Sequence, residues 1–185
     1  MENNLPPLDF DAEEASDHCG DVSATRSAFA VVGDNGVVKA WGDRNEGGGG
    51  WGQDAAVTRH QVKKVFSNLH AFAALRFDGS VATWGGSGGD SSAVTEDLTS
   101  GVKTVFSTQQ AFAALKEDGS VVTWGSAAFG ADSSEVAEAL SNGVYKLSAS
   151  ARAFAALKED GSVVTWGDAD YGGDSSEVTE ELECG

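Results

Sequence analysis

The sequence lacks the features that would mark several common classes of protein. Isoleucine is absent and proline occurs only 2 times, while glycine occurs 24 times in 185 residues, a bias that favours tight turns over disorder. No apolar run approaches the ~20 residues of a membrane-spanning helix, and no basic segment followed by an apolar one stands at the N-terminus. We therefore expect a soluble chain without direct membrane insertion. Its compartment, cytoplasmic or organellar, is not indicated.

Basic residues are scarce. Lysine and arginine total 12 against 29 acidic residues, so the formal net charge is −17. Such a chain is repelled by phosphate backbones and anionic lipids, and we expect no nucleic-acid partner. The acidic excess is densest at the start, because residues 1–21 contain no lysine or arginine. We interpret residues 1–18 as an acidic N-terminal extension, which could dock on a basic partner protein.

Patterns that carry chemistry are also missing. His18, His60 and His70 have no metal-ligand spacing, and neither they nor the 2 cysteines form a Cys-x-x-Cys pair. The glycine-rich segments lack a phosphate-loop lysine, and no Gly-x-Ser-x-Gly elbow is present. The sequence therefore predicts no catalytic residues, no metal site, no cofactor and no enzymatic activity.

What the chain does contain is an internal repeat. The string AFAALKEDGSVVTWG occupies residues 111–125 and again, unchanged, residues 153–167. Near copies occupy residues 71–85 and 28–42. The anchoring tryptophans are separated by 43, 40 and 42 residues, a period typical of propeller blades and of two-helix repeats: Trp41, Trp84, Trp124 and Trp166.

Each copy has the pattern of a β-hairpin. Short alternating runs flank an Asn-Gly or Asp-Gly pair, which predicts a two-residue type I′ turn. Phe112 and Ala114 then share one strand face and Ala113 and Leu115 the other, so both faces are apolar and should be covered. Because the tryptophan recurs in every copy, we expect it to pack between adjacent units.

A further segment precedes each hairpin and is predicted to form a third strand, as in residues 62–67. Its first residue lies ten positions before the repeat phenylalanine, and the same count from Phe29 reaches Cys19. One domain, residues 19–185, thus holds four repeats: about 19–61, 62–101, 102–143 and 144–185. An Asp-Ser-Ser segment after each later hairpin predicts a helix of one to two turns, with Asp132 at the N-cap and Gly143 at the end.

These strands, the Lys-Glu-Asp-Gly turn and an aromatic-Gly loop resemble the repeat of the regulator of chromosome condensation family. The loop residues are Trp51-Gly52-Gln53, Phe129-Gly130-Ala131 and Tyr171-Gly172-Gly173. The short blades look like those of the propeller-type β-lactamase inhibitor, and the segment ending in Gly-Gly-Asp-Ser-Ser resembles repeat proteins of unicellular algae. The resemblance implies an all-β fold with short helices, a propeller-type array of four three-stranded blades.

The family's propellers have seven blades, so four blades suggest an open or incomplete propeller. Three arrangements remain: an open arc whose end blades dock on partners, a small closed ring, or a ring completed by two chains. Cys19 is the first residue of the first repeat, and Cys184 lies just before the position where a fifth repeat would begin. A closed ring would bring the two cysteines together as a candidate disulfide.

Large side chains outside the repeat pattern are candidates for partner contact: Phe10, Trp51 and Phe77. We expect a non-enzymatic protein-interaction or scaffold module. The algal resemblance implies a peripheral subunit of a multi-subunit organellar or photosynthetic assembly. Self-association is a further option. The family resemblance also implies two alternatives, a nucleotide-exchange regulator of a small GTPase and an enzyme-inhibiting propeller.

Overall fold

A computed structural model describes residues 22–49 and 61–176. They form four three-stranded antiparallel sheets, each with its strands in chain order, and we call each sheet a blade. The strands are β1 Val22–Ala24, β2 Ala28–Val32, β3 Val38–Gly42, β4 Val62–Ser67, β5 Ala71–Arg76, β6 Val81–Gly85, β7 Val102–Ser107, β8 Ala111–Lys116, β9 Val121–Gly125, β10 Val144–Ala149, β11 Ala153–Lys158 and β12 Val163–Gly167. The predicted repeat of three strands per unit is confirmed.

The hairpin turns differ from the expectation of a two-residue type I′ loop. In blade 2 the Arg76 N–H donates to Ser80 O at 2.9 Å and the Gly79 N–H donates to Arg76 O at 3.0 Å, which closes a three-residue loop. Only glycine takes a positive φ among the described residues, 77° at Gly79. Asp78 stays right-handed because its Oδ1 accepts hydrogen bonds from the Ser80 N–H and hydroxyl at 2.9 and 2.6 Å. The prediction of a type I′ turn is therefore wrong, and a type I turn followed by left-handed glycine takes its place.

The predicted helices after the Asp-Ser-Ser segments are shorter than expected. Each starts as a single 3₁₀ turn, Ser92–Val94 in blade 2 and Ser134–Val136 in blade 3. Asp132 does not cap a helix; its Oδ1 accepts from the Ser134 N–H at 3.0 Å and forms a side-chain turn. Leu140 follows the blade 3 turn by four residues. It is buried in the same apolar cluster as Leu115 of blade 3 and Val144 of blade 4.

In blades 2 and 3 both faces of the hairpin are covered, as predicted, by the two neighbouring blades. One face of blade 3 packs back onto blade 2, and its members are Phe112, Ala114 and Trp124 against Ala71, Ala73 and Leu75. The other face packs forward onto blade 4, and its members are Ala111, Ala113 and Leu115 against Phe154, Ala156 and Trp166. The core is therefore a series of joints between successive blades rather than one central cluster.

The described residues form an open propeller of four blades. Phe72 and Phe112 are 0 % exposed, whereas the matching Phe29 in blade 1 is 46 % exposed. Blade 4 thus does not cover the outer face of blade 1. Within residues 22–49 and 61–176, no helix has the length and apolar character needed to cross a membrane.

Candidate interaction surfaces

Each joint between blades has a phenylalanine and a tryptophan at its centre. The two rings lie opposite each other on adjacent strands and stack, with centroids 5.0 Å apart for Phe72 and Trp84. At two of the three described joints the indole also donates a hydrogen bond to the loop of the preceding blade. Trp84 Nε1 donates to Gly47 O at 3.1 Å, and Trp166 Nε1 donates to Gly130 O at 3.0 Å.

The acceptor glycines are required by backbone geometry and by close packing. Gly47 and Gly130 have φ values of 90° and 92°, in the left-handed region that other residues avoid. A Cβ on Gly47 would lie 2.7 Å from Phe72 Cδ2, and one on Gly130 would lie 2.8 Å from Phe154 Cδ2. The loop glycine thus lets the next blade's aromatic ring approach the backbone.

In blade 1 this loop is not the predicted Trp51-Gly52-Gln53 segment. The 3₁₀ turn is Arg44–Glu46 and ends at Gly47, so Glu46 occupies the place of the aromatic residue. The two Gly segments differ in their distance from the end of the strand. Gly47 follows Gly42 by five residues, as Gly130 follows Gly125, whereas Gly52 follows Gly42 by ten. Comparison of loop spacing after Gly42 would have revealed the shift.

Glu46 and its partner form part of the rim of the first joint, which the sequence did not predict. Its Oε1 lies 3.1 Å from His70 Nδ1 of blade 2. At the joint between blades 3 and 4, Arg152 takes the place of His70 and lies over the Phe129 ring, 4.9 Å from its centroid. Rim contacts thus differ in chemistry while the aromatic centre is repeated.

The joint between blades 2 and 3 departs from this pattern. The loop from Gly85 to Asp90 is shorter than the loop from Gly125 to Asp132 and contains no aromatic residue. Trp124 is only 4 % exposed, yet its Nε1 is buried without a hydrogen-bond partner.

Blade 2 partly compensates for its short loop. In the other blades a serine or threonine hydroxyl donates to the loop, as Thr108 Oγ1 does to Phe129 O at 2.8 Å. Blade 2 has Asn68 at this position, and its Nδ2 reaches Ser87 O at 3.4 Å. The Asn68 Oδ1 still accepts from the Ala71 N–H at 2.7 Å, so the longer side chain keeps the strand contact as well.

The blade 1 face that has no preceding blade is apolar and exposed. We call it the leading face and define it by Val22, Phe29 and Trp41, which are 58 %, 46 % and 49 % exposed. Phe29 and Trp41 are already stacked, with centroids 5.6 Å apart. Equivalent side chains in the other blades form the buried joints.

The blade 4 face that has no following blade has the complementary shape. We call it the trailing face and define it by Ala153, Ala155, Tyr171 and Gly172. A cavity of about 260 Å³ is lined by these residues. A Cβ on Gly172 would meet nothing within 4 Å, whereas the matching Gly47 and Gly130 each meet a phenylalanine ring.

Phe77 is the one predicted partner-contact residue within the described ranges. It lies in the β5–β6 turn and is 58 % exposed. It borders a cavity of about 240 Å³ together with Lys63, Lys103 and Glu117. The lining also includes Arg76 and Asp78.

The other predicted residues lie outside the described ranges. These are Phe10, Trp51, Cys19 and Cys184, together with the acidic extension, residues 1–18. The contact roles and the disulfide therefore stay predictions. Within residues 22–49 and 61–176, no group of three or more histidine, cysteine or acidic residues is placed to hold a metal ion.

No protein-family model and no curated protein sequence matches the chain. Solved structures do. The crystal structure of human WBSCR16 is 20 % identical and has a TM-score of 0.54, covering 80 % of this chain and 47 % of its own. Prp20p from Saccharomyces cerevisiae is 21 % identical with a TM-score of 0.53 over 80 % of this chain and 43 % of its own. Yeast RCC1 (Prp20) bound to Kap60 is 18 % identical, with a TM-score of 0.54, and covers 84 % of this chain and 43 % of its own.

The fold is that of an RCC1-like propeller. The expected resemblance to the regulator of chromosome condensation repeat is confirmed at the level of the fold. The chain spans less than half the length of these RCC1-like neighbours, 43 % to 47 %.

Proposed function

We propose that this protein is a non-enzymatic interaction module that binds another protein through Phe77 and its flanking lysines. The observation that carries the proposal is the exposure of Phe77, 58 %, at a turn whose counterparts hold Glu117 and Glu159. A large exposed aromatic side chain loses water when a partner covers it, which favours association. The architecture of an RCC1-like propeller supports this role because its loops are held rigidly by the blades.

The chemistry around Phe77 favours a particular type of partner segment. Lys63 and Lys103 are exposed and line the same cavity as Phe77, and the lining as a whole has three basic side chains, with Arg76, against two acidic ones, Asp78 and Glu117. An apolar side chain next to a carboxylate would complement the ring and the basic excess. The partner segment is therefore apolar and acidic. Because the rest of the chain is acidic, this basic and aromatic patch also orients the encounter.

The partner belongs to a larger assembly, in which this chain is a peripheral subunit. The resemblance to algal repeat proteins supports an organellar or photosynthetic complex. The test is the native mass of the chain in extract from its source, together with co-purification of the other subunits at a fixed ratio. A chain that migrates alone at its physiological concentration would contradict the proposal.

A matched pair of variants localises the contact. Phe77→Glu installs the residue found at the same turn in blades 3 and 4, and it should abolish co-purification without affecting folding. Tyr145→Lys, which removes a ring that is 51 % exposed and installs the residue of the matching positions Lys63 and Lys103, should leave co-purification intact. Equal loss in both variants would show that Phe77 is not the contact.

Nucleotide exchange on a small GTPase is the second candidate. The structure of Prp20p is described together with its binding to Gsp1p and histones. At 21 % identity that neighbour supports the propeller architecture for this chain and identifies no exchange residue in it. We expect no acceleration of GDP release from a panel of small GTPases, and an acceleration of tenfold or more would replace the interaction-module proposal.

A further inference from the structure

The two end faces of the array match each other in the same way as the faces inside it. At the joint between blades 3 and 4, Phe154 and Trp166 are 1 % and 4 % exposed and pack against the loop that ends at Gly130. The leading face presents the same pair, Phe29 and Trp41, half exposed. The trailing face presents the same loop, ending at Gly172, with empty space where the ring would lie.

Hydrogen-bonding groups at the two ends are complementary as well. Neighbouring blades are joined by backbone bonds that all run in one direction: Arg26 N–H to Leu69 O at 2.8 Å, Leu69 N–H to Gln109 O at 3.1 Å and Gln109 N–H to Ala151 O at 3.0 Å. Within the described ranges this series leaves a carbonyl acceptor on Arg26 at the leading end. It leaves an N–H donor on Ala151 at the trailing end.

The indole of Trp41 extends this correspondence. Within the described part of the chain no acceptor lies opposite Trp41 Nε1, and the Gly172 carbonyl is the counterpart of the acceptors at Gly47 and Gly130. Val22 follows the same rule, since it is 58 % exposed while its counterparts Val65 and Val105 are each 3 % exposed. One face thus supplies side chains and a carbonyl, and the other supplies space, a carbonyl and an amide.

Lys39 is a charged residue at a leading-face position that is apolar in blades 2 and 3. It lies where blades 2 and 3 have Ala82 and Val122, at the edge of the leading face. Its aliphatic stem can cover the same apolar surface while the ammonium group stays in water at the rim. The substitution therefore does not block a joint of the internal type.

We propose that a second copy of this chain docks end to end, with the leading face of one copy on the trailing face of the other. Such a contact joins different surfaces, so it generates either a closed ring or a growing filament. Two copies supply eight blades, which is within the range of about four to eight at which propellers close. The assembly is therefore a dimer with two identical joints, in which neither face remains exposed. The proposal goes beyond the partner-binding role and does not involve Phe77.

The test is the native mass of the purified full chain, measured with reducing agent across a range of concentrations. The expected result is twice the 19.0 kDa of one chain, without larger species. A mass of one chain at every concentration, or a mass that keeps growing as concentration rises, would overturn the closed dimer.

Two variants block opposite ends. Phe29→Glu places a charge in the leading face, and Ala155→Glu places one in the trailing face; circular dichroism checks that each variant folds. Each variant alone should be monomeric, because each pairing would include one blocked face. Mixed in equal amounts, the two variants should form a heterodimer through the one joint that remains intact. Its dissociation constant should be at least tenfold higher than that of the wild-type dimer.

Ala93→Glu is the matched control, because it places the same charge on an exposed residue of blade 2, which is at neither end of the array, and it should remain dimeric. A dimer that survives Phe29→Glu and Ala155→Glu alike would show that the copies associate through another surface. Since the partner-binding proposal depends on Phe77→Glu instead, either proposal can fail while the other holds.

Discussion

The joint between blades 3 and 4 and the joint between blades 2 and 3 bury the same ring in two different ways. Trp124 and Trp166 are each 4 % exposed, but only Trp166 has an acceptor, Gly130 O at 3.0 Å. The ring is therefore buried by apolar packing, and the hydrogen bond is a separate contribution that one joint lacks. An unsatisfied buried donor costs about 1–3 kcal/mol, so the joint between blades 2 and 3 is the weaker one.

The largest expected effect comes from removing the phenylalanine ring at either joint. Phe112 and Phe154 are 0 % and 1 % exposed, and replacement of either by alanine should lower the free energy of unfolding by about 3–5 kcal/mol. Urea unfolding followed by circular dichroism measures the loss. Tyr145→Ala, at a side chain that is 51 % exposed, is the control and should change stability by no more than about 0.5 kcal/mol. A loss at Phe112 below half of that at Phe154 would show that the two aromatic centres are not equivalent.

The next effect separates the hydrogen bond from the ring. Trp166→Phe removes the donor to Gly130 O and leaves that carbonyl unpaired, while Trp124→Phe removes a donor that had no partner. Trp166→Phe should therefore be more destabilising than Trp124→Phe by about 1–3 kcal/mol in the same unfolding measurement. Equal losses would mean that Trp124 Nε1 finds an acceptor in solution.

A graft should convert the weaker joint into the stronger type. The variant replaces residues 86–89 by the Ser-Ala-Ala-Phe-Gly-Ala segment of residues 126–131 and includes Asn68→Thr. The new loop brings a glycine carbonyl to Trp124 Nε1, and we expect a gain of about 0.5–1.5 kcal/mol in unfolding free energy. Adding Trp124→Phe should cancel the gain, and a gain that persists would trace it to some other contact.

The smallest expected effect is a pH dependence of stability that the hairpin turns of blades 3 and 4 should share. Hydrogen bonds from the hydroxyl and then the N–H of Ser120 lower the pKa of Asp118, and those of Ser162 lower the pKa of Asp160. A carboxylate with a lowered folded pKa stabilises the fold above its unfolded pKa of about 3.9 and loses this contribution as pH falls through the folded value. The thermal midpoint should therefore fall below pH ~4. Asp118→Asn and Asp160→Asn should each flatten this dependence slightly and equally. A difference between the two variants would show that the contribution of a turn depends on the joint next to its blade.

The repeat register was predictable because a long string recurs almost unchanged. Strands β8 and β11 have identical sequences, and the shared pattern predicted which residues share a strand face and that both faces of blade 3 are covered. The pairing of Phe112 with Trp124 was not predicted, because a two-residue turn at Asp118-Gly119 would place Phe112 opposite Gly125. The same logic located the third strand, although it is less similar between copies. Apolar alternation carries this information along the chain, residue by residue.

The turns and loops were less predictable because single side chains decide them. Asp78 and Ser80 form a local bond that selects a three-residue loop, which the Asp-Gly pair alone does not indicate. In blade 1 the position of the loop glycine depends on the turn that starts at Asp43, so the aromatic Trp51 was misleading. The count of four blades predicted an open array, whereas the residues of blade 1 by themselves do not indicate an uncovered face, since they repeat the buried pattern.

The neighbour-to-neighbour joints also bear on how such a chain can change its length over generations. A duplication that inserts one whole blade brings a Phe–Trp pair that packs on the loop of the preceding blade. It also brings a loop that receives the Phe–Trp pair of the following blade. Both new contacts are copies of ones that already exist, so the inserted unit requires no accompanying change in the two blades that flank it. Each joint therefore tolerates gain or loss of a unit by recombination, and divergence such as the shortened loop of blade 2 can follow later, one joint at a time.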